Sequence, residues 1–283
     1  MPNKQRMSSA TNGKTKDFAS SSPFPIVVLS LEGSSRVQSL VKELERVDLI
    51  SKCTIVENKR DAEDGVRGCF LAHQNAIADA LDANPSALGV IVFEDDVRFS
   101  NETKGIPASI SCATAALDDL DLDVVGLGGA PIGPLRRRNR PRGNQTVYEG
   151  RFHCAHAYAI RASAARVLLE VKFKCHGRAL RRGDHYDQVL ADMCSMGLLV
   201  PCIAFQARSE DLTTTNSSSA LYRSLTKARD LIGMRNFQKT AVCFFLALGW
   251  CIDLACCWKC VCRPKQLPSR AKKYRTVPEM RSA

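Results

Sequence analysis

The feature that most constrains this chain is a repeated switch between short apolar runs and amphipathic stretches of helical length. "PIVVLSL", 25–31, is an apolar, β-branched run that ends at Gly33, and it reads as a buried strand. Residues 34–47 place Val37, Leu40, Val41, Leu44 and Val47 on one helical stripe, with Ser34 or Ser35 able to cap the helix. "CTIVEN", 53–58, predicts a second strand, and 66–81 a helix with Val66, Phe70, His73, Ile77 and Leu81 on one side. "ALGVIVF", 87–93, predicts a third strand.

The alternation continues with helices over 108–118, 163–171 and 184–196 and strands over 123–129, 154–160 and 198–205. Strand and helix at this spacing argue for an α/β domain with a mostly parallel central sheet. The expected organisation is a polar, disordered arm over 1–24, the domain over 25–215 and a linker over 216–239. The arm has no apolar core of a secretory signal, so the sequons at Asn101, Asn144 and Asn216 are read as chance.

Residues 240–258, "TAVCFFLALGWCIDLACCW", form the most apolar run, at the lower length limit for a membrane span and interrupted by Asp253. A span, an interfacial helix and a buried core helix all fit it. The net charge of +11 calls for an anionic partner, but residues 259–283 alone carry eight Lys or Arg against one acid. An apolar run followed by a basic tail suits an anionic membrane surface, with the active domain on the cytoplasmic side. Six of thirteen cysteines crowd into 243–262, a compact group suited to S-acylation more than to zinc knuckles. The other seven have no framework spacing, and reduced, mostly buried thiols are expected.

In "GVIVFEDDVRFS", 89–100, an apolar strand runs straight into Glu94, Asp95 and Asp96. Like charges repel and are costly to bury, so an opposite charge is expected at that strand end. Ligands of open α/β sheets bind beyond the carboxyl ends of the strands. Three hard oxygen donors there suit Mn²⁺ or Mg²⁺, with positions left for phosphate oxygens.

Six segments, taken in order, resemble glycosyltransferase family 25, the lipopolysaccharide and procollagen galactosyltransferase group. They are "IVVLSLEGSSRVQSLVKEL", "GVRGCFLAHQNAI", "GVIVFEDDVRFS", "HAYAIRASAARVLL", "YDQVLAD" and "VPCIAFQ", and they span about 26–215. The resemblance implies a GT-A-like fold and inverting, metal-assisted transfer of a hexose, commonly galactose, from a UDP-sugar. The acceptor would be a glycan, a lipid-linked glycan or a hydroxylated protein. Carried over, Asp96 contacts the metal, with Glu94 as a further ligand and Glu94 or Asp95 nearer the ribose or a metal-bound water. Arg36 and His73 line the donor site. Glu32 stands where the family usually has Asp.

Inverting transfer needs a base for the acceptor proton. "RRGDHYDQVL" offers Asp184 and Asp187, and Asp187 is read either as that base or as a helix cap. Spacing alone makes His73 a buried, hydrogen-bonded histidine. His153 and His156, three apart, would face opposite sides of a strand and are not read as a metal pair. "PLRRRNRPR", 134–142, carries Arg136, Arg137 and Arg138, candidates for acceptor or phosphate contact or for a solvated loop. It has no interleaved aromatics to stack bases, so nucleic acid is not the expected partner. "GLGGAPIG", 126–133, lacks the last glycine of a dinucleotide fingerprint, at Pro131. A non-catalytic membrane-surface protein on a degenerate transferase fold and a basic nucleic-acid-binding protein are the rival readings.

Overall fold

The computed structural model describes residues 23–101, 105–137, 145–173 and 185–207. The arm before residue 23, Asp184, Arg138, the linker, the apolar run and its cysteine cluster, and the basic tail all lie outside them, as does the side chain of Arg137.

In chain order the elements are β1 (Ile26–Leu31), α1 (Val37–Arg46), β2 (Cys53–Asn58), α2 (Gly65–Ala83), β3 (Gly89–Glu94) and β4 (Val97–Phe99). They continue with α3 (Ile106–Asp119), β5 (Val124–Gly126), β6 (Ala130–Pro131), β7 (Arg136–Arg137), β8 (Thr146–Glu149) and β9 (Phe152–His153). The last are β10 (Ala157–Arg161), α4 (Ala162–Leu169), α5 (Tyr186–Met193), β11 (Met196–Val200) and β12 (Ala204–Gln206).

Eight strands form the central sheet in the order β2-β1-β3-β10-β5-β11-β8-β7. Six share one direction, and β10 and β8 run against it. This is the mixed α/β, mostly parallel architecture that the alternation of runs and stripes predicts.

The central strands are apolar on both faces because both faces are covered. Val28, Ile91 and Phe93 pack with Leu40 and Leu44 of α1 and Ala113 and Leu117 of α3. Val27, Leu29, Val90 and Val92 pack on the other face with Phe70 and Ile77 of α2, Leu168 of α4 and Leu190 of α5. Alternate residues of β1 and β3 thus serve opposite layers, the period-2 rule of a strand.

Several boundaries differ from the sequence reading. Phe24, assigned to the arm, is buried, and Pro23 O accepts from Leu88 N–H at 2.8 Å. A Cβ at Gly89 would stand 2.4 Å from the Phe24 ring and 2.2 Å from Ile160 O, so only glycine fits there. The single strand expected over 198–205 is two, β11 and β12, because Pro201 has no N–H for a ladder. The six described cysteines form no disulfide with one another, but only Cys112 among them is buried and the other five are half-buried. Among the described residues no helix is long and apolar enough to cross a membrane.

Candidate functional site

The parallel strands β1 and β3 end side by side, with Leu29 opposite Glu94. The alternation of β3 then decides where the three carboxylates go. Val92 faces α2, Phe93 faces α1, so Glu94 turns to the α2 side and Asp95 to the α1 side. The triplet is divided between the two faces of the sheet.

Asp95 is held by donors from β1 and the turn after it. Ser30 Oγ donates to Asp95 Oδ2 at 3.1 Å and Ser34 Oγ at 3.0 Å. Arg36 Nη1 lies 3.3 Å from Asp95 Oδ1 and 3.9 Å from Asp96 Oδ2. Arg36 is therefore the opposite charge that the carboxylate run demanded. The expected serine cap of α1 is not made. Arg36 occupies the N-cap position without a side-chain bond, and Ser34 Oγ instead accepts from Arg36 N–H and donates to Asp95.

Asp96 is closed over by β12, which pairs antiparallel with β4 and sets Gln206 opposite Val97. Gln206 Nε2 donates to Asp96 Oδ2 at 3.0 Å, and Ala207 N–H donates to Asp96 O at 2.6 Å. Asp96 Oδ1 is buried with no hydrogen-bond partner. Burial pushes the Asp96 carboxyl up to about 7, and Glu94 adds to the rise while Gln206 and Arg36 oppose it. A carboxylate oxygen buried without a donor fits a cation, so the residues present suit the divalent ion implied by the sequence.

Glu94 meets a different set. Its Oε1 lies 3.2 Å from His73 Nε2, and His73 Nδ1 lies 3.0 Å from Tyr158 Oη. The Tyr186 ring stacks on the imidazole at 4.3 Å and 7°. His73 is 1% exposed, whereas the Glu94 side chain keeps 25% of its surface open. Burial acts to raise the Glu94 carboxyl, but the hydrogen bond and charge of His73 bring it below the ordinary value. The Cys69 Sγ, one helical turn before His73, completes a group whose ligand atoms lie within 4.8 Å of one another. Burial and the charges of Glu94, Asp187 and Asp96 push the Cys69 thiol up.

The antiparallel β10 delivers the remaining side of the site. Its start, not its end, lies beside Glu94, whose N–H donates to His156 O at 2.9 Å. Cys154, at φ 74°, turns the chain into this position. Asp187 Oδ2 accepts from Cys154 N–H at 3.2 Å and lies 3.3 Å from His153 Nδ1. Burial acts against ionisation of Asp187, yet His153, the Cys154 amide and His185 hold the carboxyl below its usual range. The N-cap of α5 is His185, so Asp187 does not cap its own helix; it ties α5 to the loop before β10.

Of the residues singled out in the sequence, Arg36, His73, Glu94, Asp95, Asp96 and Asp187 come to one end of the sheet. Arg136 and Arg137 do not. They form the edge strand β7, five strands from β3, or roughly 24 Å at about 4.8 Å per strand. His153 and His156 do not face opposite sides of one strand, because they do not share a strand. His153 ends β9, and His156 is buried in the loop before β10. Sequence reasoning missed Ser30, Cys69, Tyr158, Tyr186 and Gln206. The four-residue spacing of Cys69 and His73 could have flagged that pair, whereas Gln206 carries no local signal.

No family model matches the sequence, and no curated protein matches it. Among solved structures, one likeness is a glycosyltransferase involved in glycosylation of the major capsid of PBCV-1. It is 14% identical at a TM-score of 0.37, over 58% of this chain and 73% of that one. Another is mannose-1-phosphate geranyltransferase from Thermus thermophilus, 12% identical at a TM-score of 0.36, over 62% of this chain and 72% of that one. Both are distant likenesses in shape.

Proposed function

We propose that this chain is an inverting glycosyltransferase of the family 25 kind that moves a hexose, galactose first among the candidates, from a UDP-sugar to a hydroxyl acceptor. The observation that carries the reading is Asp96 Oδ1, a buried and unpartnered carboxylate oxygen at the carboxyl end of β3, beside an Asp95 fixed by Arg36 and two serines. Asp96 is the principal holder of Mn²⁺ or Mg²⁺ in this reading, with Glu94 as a second ligand once it turns from His73. When bound, the ion supplies positive charge that stabilises the diphosphate leaving group.

The protein's own groups do the rest. Ser30, Ser34 and Arg36 orient Asp95 and neutralise part of the carboxylate charge, so an anionic donor can approach. Asp187, kept ionised by His153 and the Cys154 amide, takes the proton of the acceptor hydroxyl as that oxygen attacks the anomeric carbon and UDP departs. The acceptor is a glycan, a lipid-linked glycan as in lipopolysaccharide, or a hydroxylated protein. Membrane attachment through 240–258, with the domain cytoplasmic, belongs to the same reading.

The test is a UDP-sugar screen for hydrolysis and transfer with Mn²⁺ or with EDTA. Metal-dependent turnover is expected, and Asp96→Ala in a folded protein should reduce it by at least about a hundredfold. Donor turnover absent under every condition, or unchanged in Asp96→Ala, sinks the proposal.

A further inference from the structure

We propose that Cys69, His73 and Glu94 form a binding site for a thiophilic divalent cation, Zn²⁺ by its chemistry, which shares Glu94 with the hard-ion position at Asp96, the Glu94 carboxylate turning to one or the other. One sulfur, one imidazole nitrogen and one carboxylate oxygen are a donor set that zinc takes and that magnesium and manganese do not favour. Their ligand atoms lie within 4.8 Å of one another, and His73 Nε2 and Glu94 Oε1 are already 3.2 Å apart. Tetrahedral zinc with bonds of about 2.0–2.3 Å spaces its ligands about 3.3–3.7 Å apart, so closing the set takes a shift of about an ångström.

The surroundings support the site. With a metal bound, His73 keeps its proton on Nδ1 for Tyr158 Oη, 3.0 Å away, and gives the Nε2 lone pair to the ion in place of its hydrogen bond to Glu94. Tyr186, stacked at 4.3 Å, fixes the plane of the ring. Cys69 and His73 stand four residues apart on α2, whose helical geometry aligns them on one face. Glu94, open over 25% of its side-chain surface, provides the way in and leaves a fourth position for water. Glu94, Asp187 and Asp96 all act on Cys69, so the pocket attracts cations. On binding, the Cys69 thiol and His73 Nε2 each release a proton to solvent as sulfur and nitrogen take the metal, which replaces the contact between His73 and Glu94. The site stands on this geometry alone and does not require the transferase reading.

The experiment titrates the full-length, metal-free, reduced protein with Co²⁺, whose thiolate-to-metal absorption reports sulfur ligation, and compares it with Cys69→Ser. Cysteines elsewhere, including those of 243–262, contribute equally to both proteins. The difference should be one equivalent of tightly bound Co²⁺ together with a thiolate band lost in the variant. Zn²⁺ should displace that equivalent. Tyr158→Phe should keep the band and weaken binding by about tenfold, the effect of removing an outer partner of a ligating histidine. His73→Gln, judged as Cys69→Ser is, decides the matter if the serine variant does not fold. In the unmodified protein, Zn²⁺ should also slow alkylation of the Cys69-containing peptide. Identical stoichiometry and spectra in the folded variants, or alkylation of Cys69 indifferent to Zn²⁺, overturns the site.

Discussion

Arg36 Nη1 stands 3.3 Å from Asp95 Oδ1, an ion pair that joins the turn after β1 to the end of β3. Its partners are sequence-distant, and the Arg36 side chain is 30% exposed, so solvent screens part of the attraction. Arg36→Ala leaves adjacent carboxylates without this counter-charge and should cost about 1–2 kcal/mol. Arg36→Lys should recover part of that loss. Chemical denaturation of the three proteins checks the order, and equal midpoints would show that the pair does not support the fold.

Asp96 makes stability depend on pH in a particular direction. Its folded value of about 7 lies above the ordinary 3.8, so its contribution is full below the ordinary value and is lost as pH rises through 7. In EDTA, the melting temperature of the unmodified protein should therefore fall from pH 5 to pH 8 relative to Asp96→Asn, by several degrees. Adding Mn²⁺ at pH 8 should restore it. Parallel melting curves for the two proteins across that range would contradict the assignment.

Asp187→Asn keeps the shape of the side chain and cannot take up a proton. Turnover should drop by about a hundredfold or more while the donor KM changes little. Asp184→Asn provides the comparison. If that variant loses turnover and Asp187→Asn does not, the base lies three residues earlier in the chain.

In the proposed reading the apolar run 240–258 and the basic tail act as two membrane signals, the number that stable attachment takes. A chain ending near Ser224 should be more soluble and should no longer sediment with anionic vesicles. It should keep donor hydrolysis, because the candidate residues all precede position 208. Unfolding of the shortened chain would identify the run as a core helix instead.

The layers of this fold were legible because burial on both sheet faces writes continuous apolar runs, and Val27 through Leu29 or Val90 through Phe93 show it. The carboxylates were legible because a run of like charge behind a buried strand demands an opposite charge, whereas Arg36 was singled out only by the resemblance of its segment to family 25. What escaped depends on pairing across the chain. The two-residue strands β6, β7 and β9 have no period to detect. Gln206 becomes a neighbour of Asp96 only through the register of β12 against β4, a hundred and ten residues away in sequence. Glu94 parting from Asp95 follows from strand alternation, but that requires knowing that the strand runs through Glu94.

The reversed direction of β10 has a consequence for assembly. Arg36, Glu94, Asp95 and Asp96 arrive from the first hundred residues, whereas the Cys154 turn, Asp187 and Gln206 arrive from the second. A nascent chain emerging from the ribosome can pair β1, β2 and β3 early, yet it holds an unroofed carboxylate cluster until β12 closes on β4. Such long-range closure is slow compared with local pairing. The candidate site is thus among the last parts of the domain to be finished, and an interrupted or shortened product ending before Ala204 has the sheet with that carboxylate cluster still unroofed.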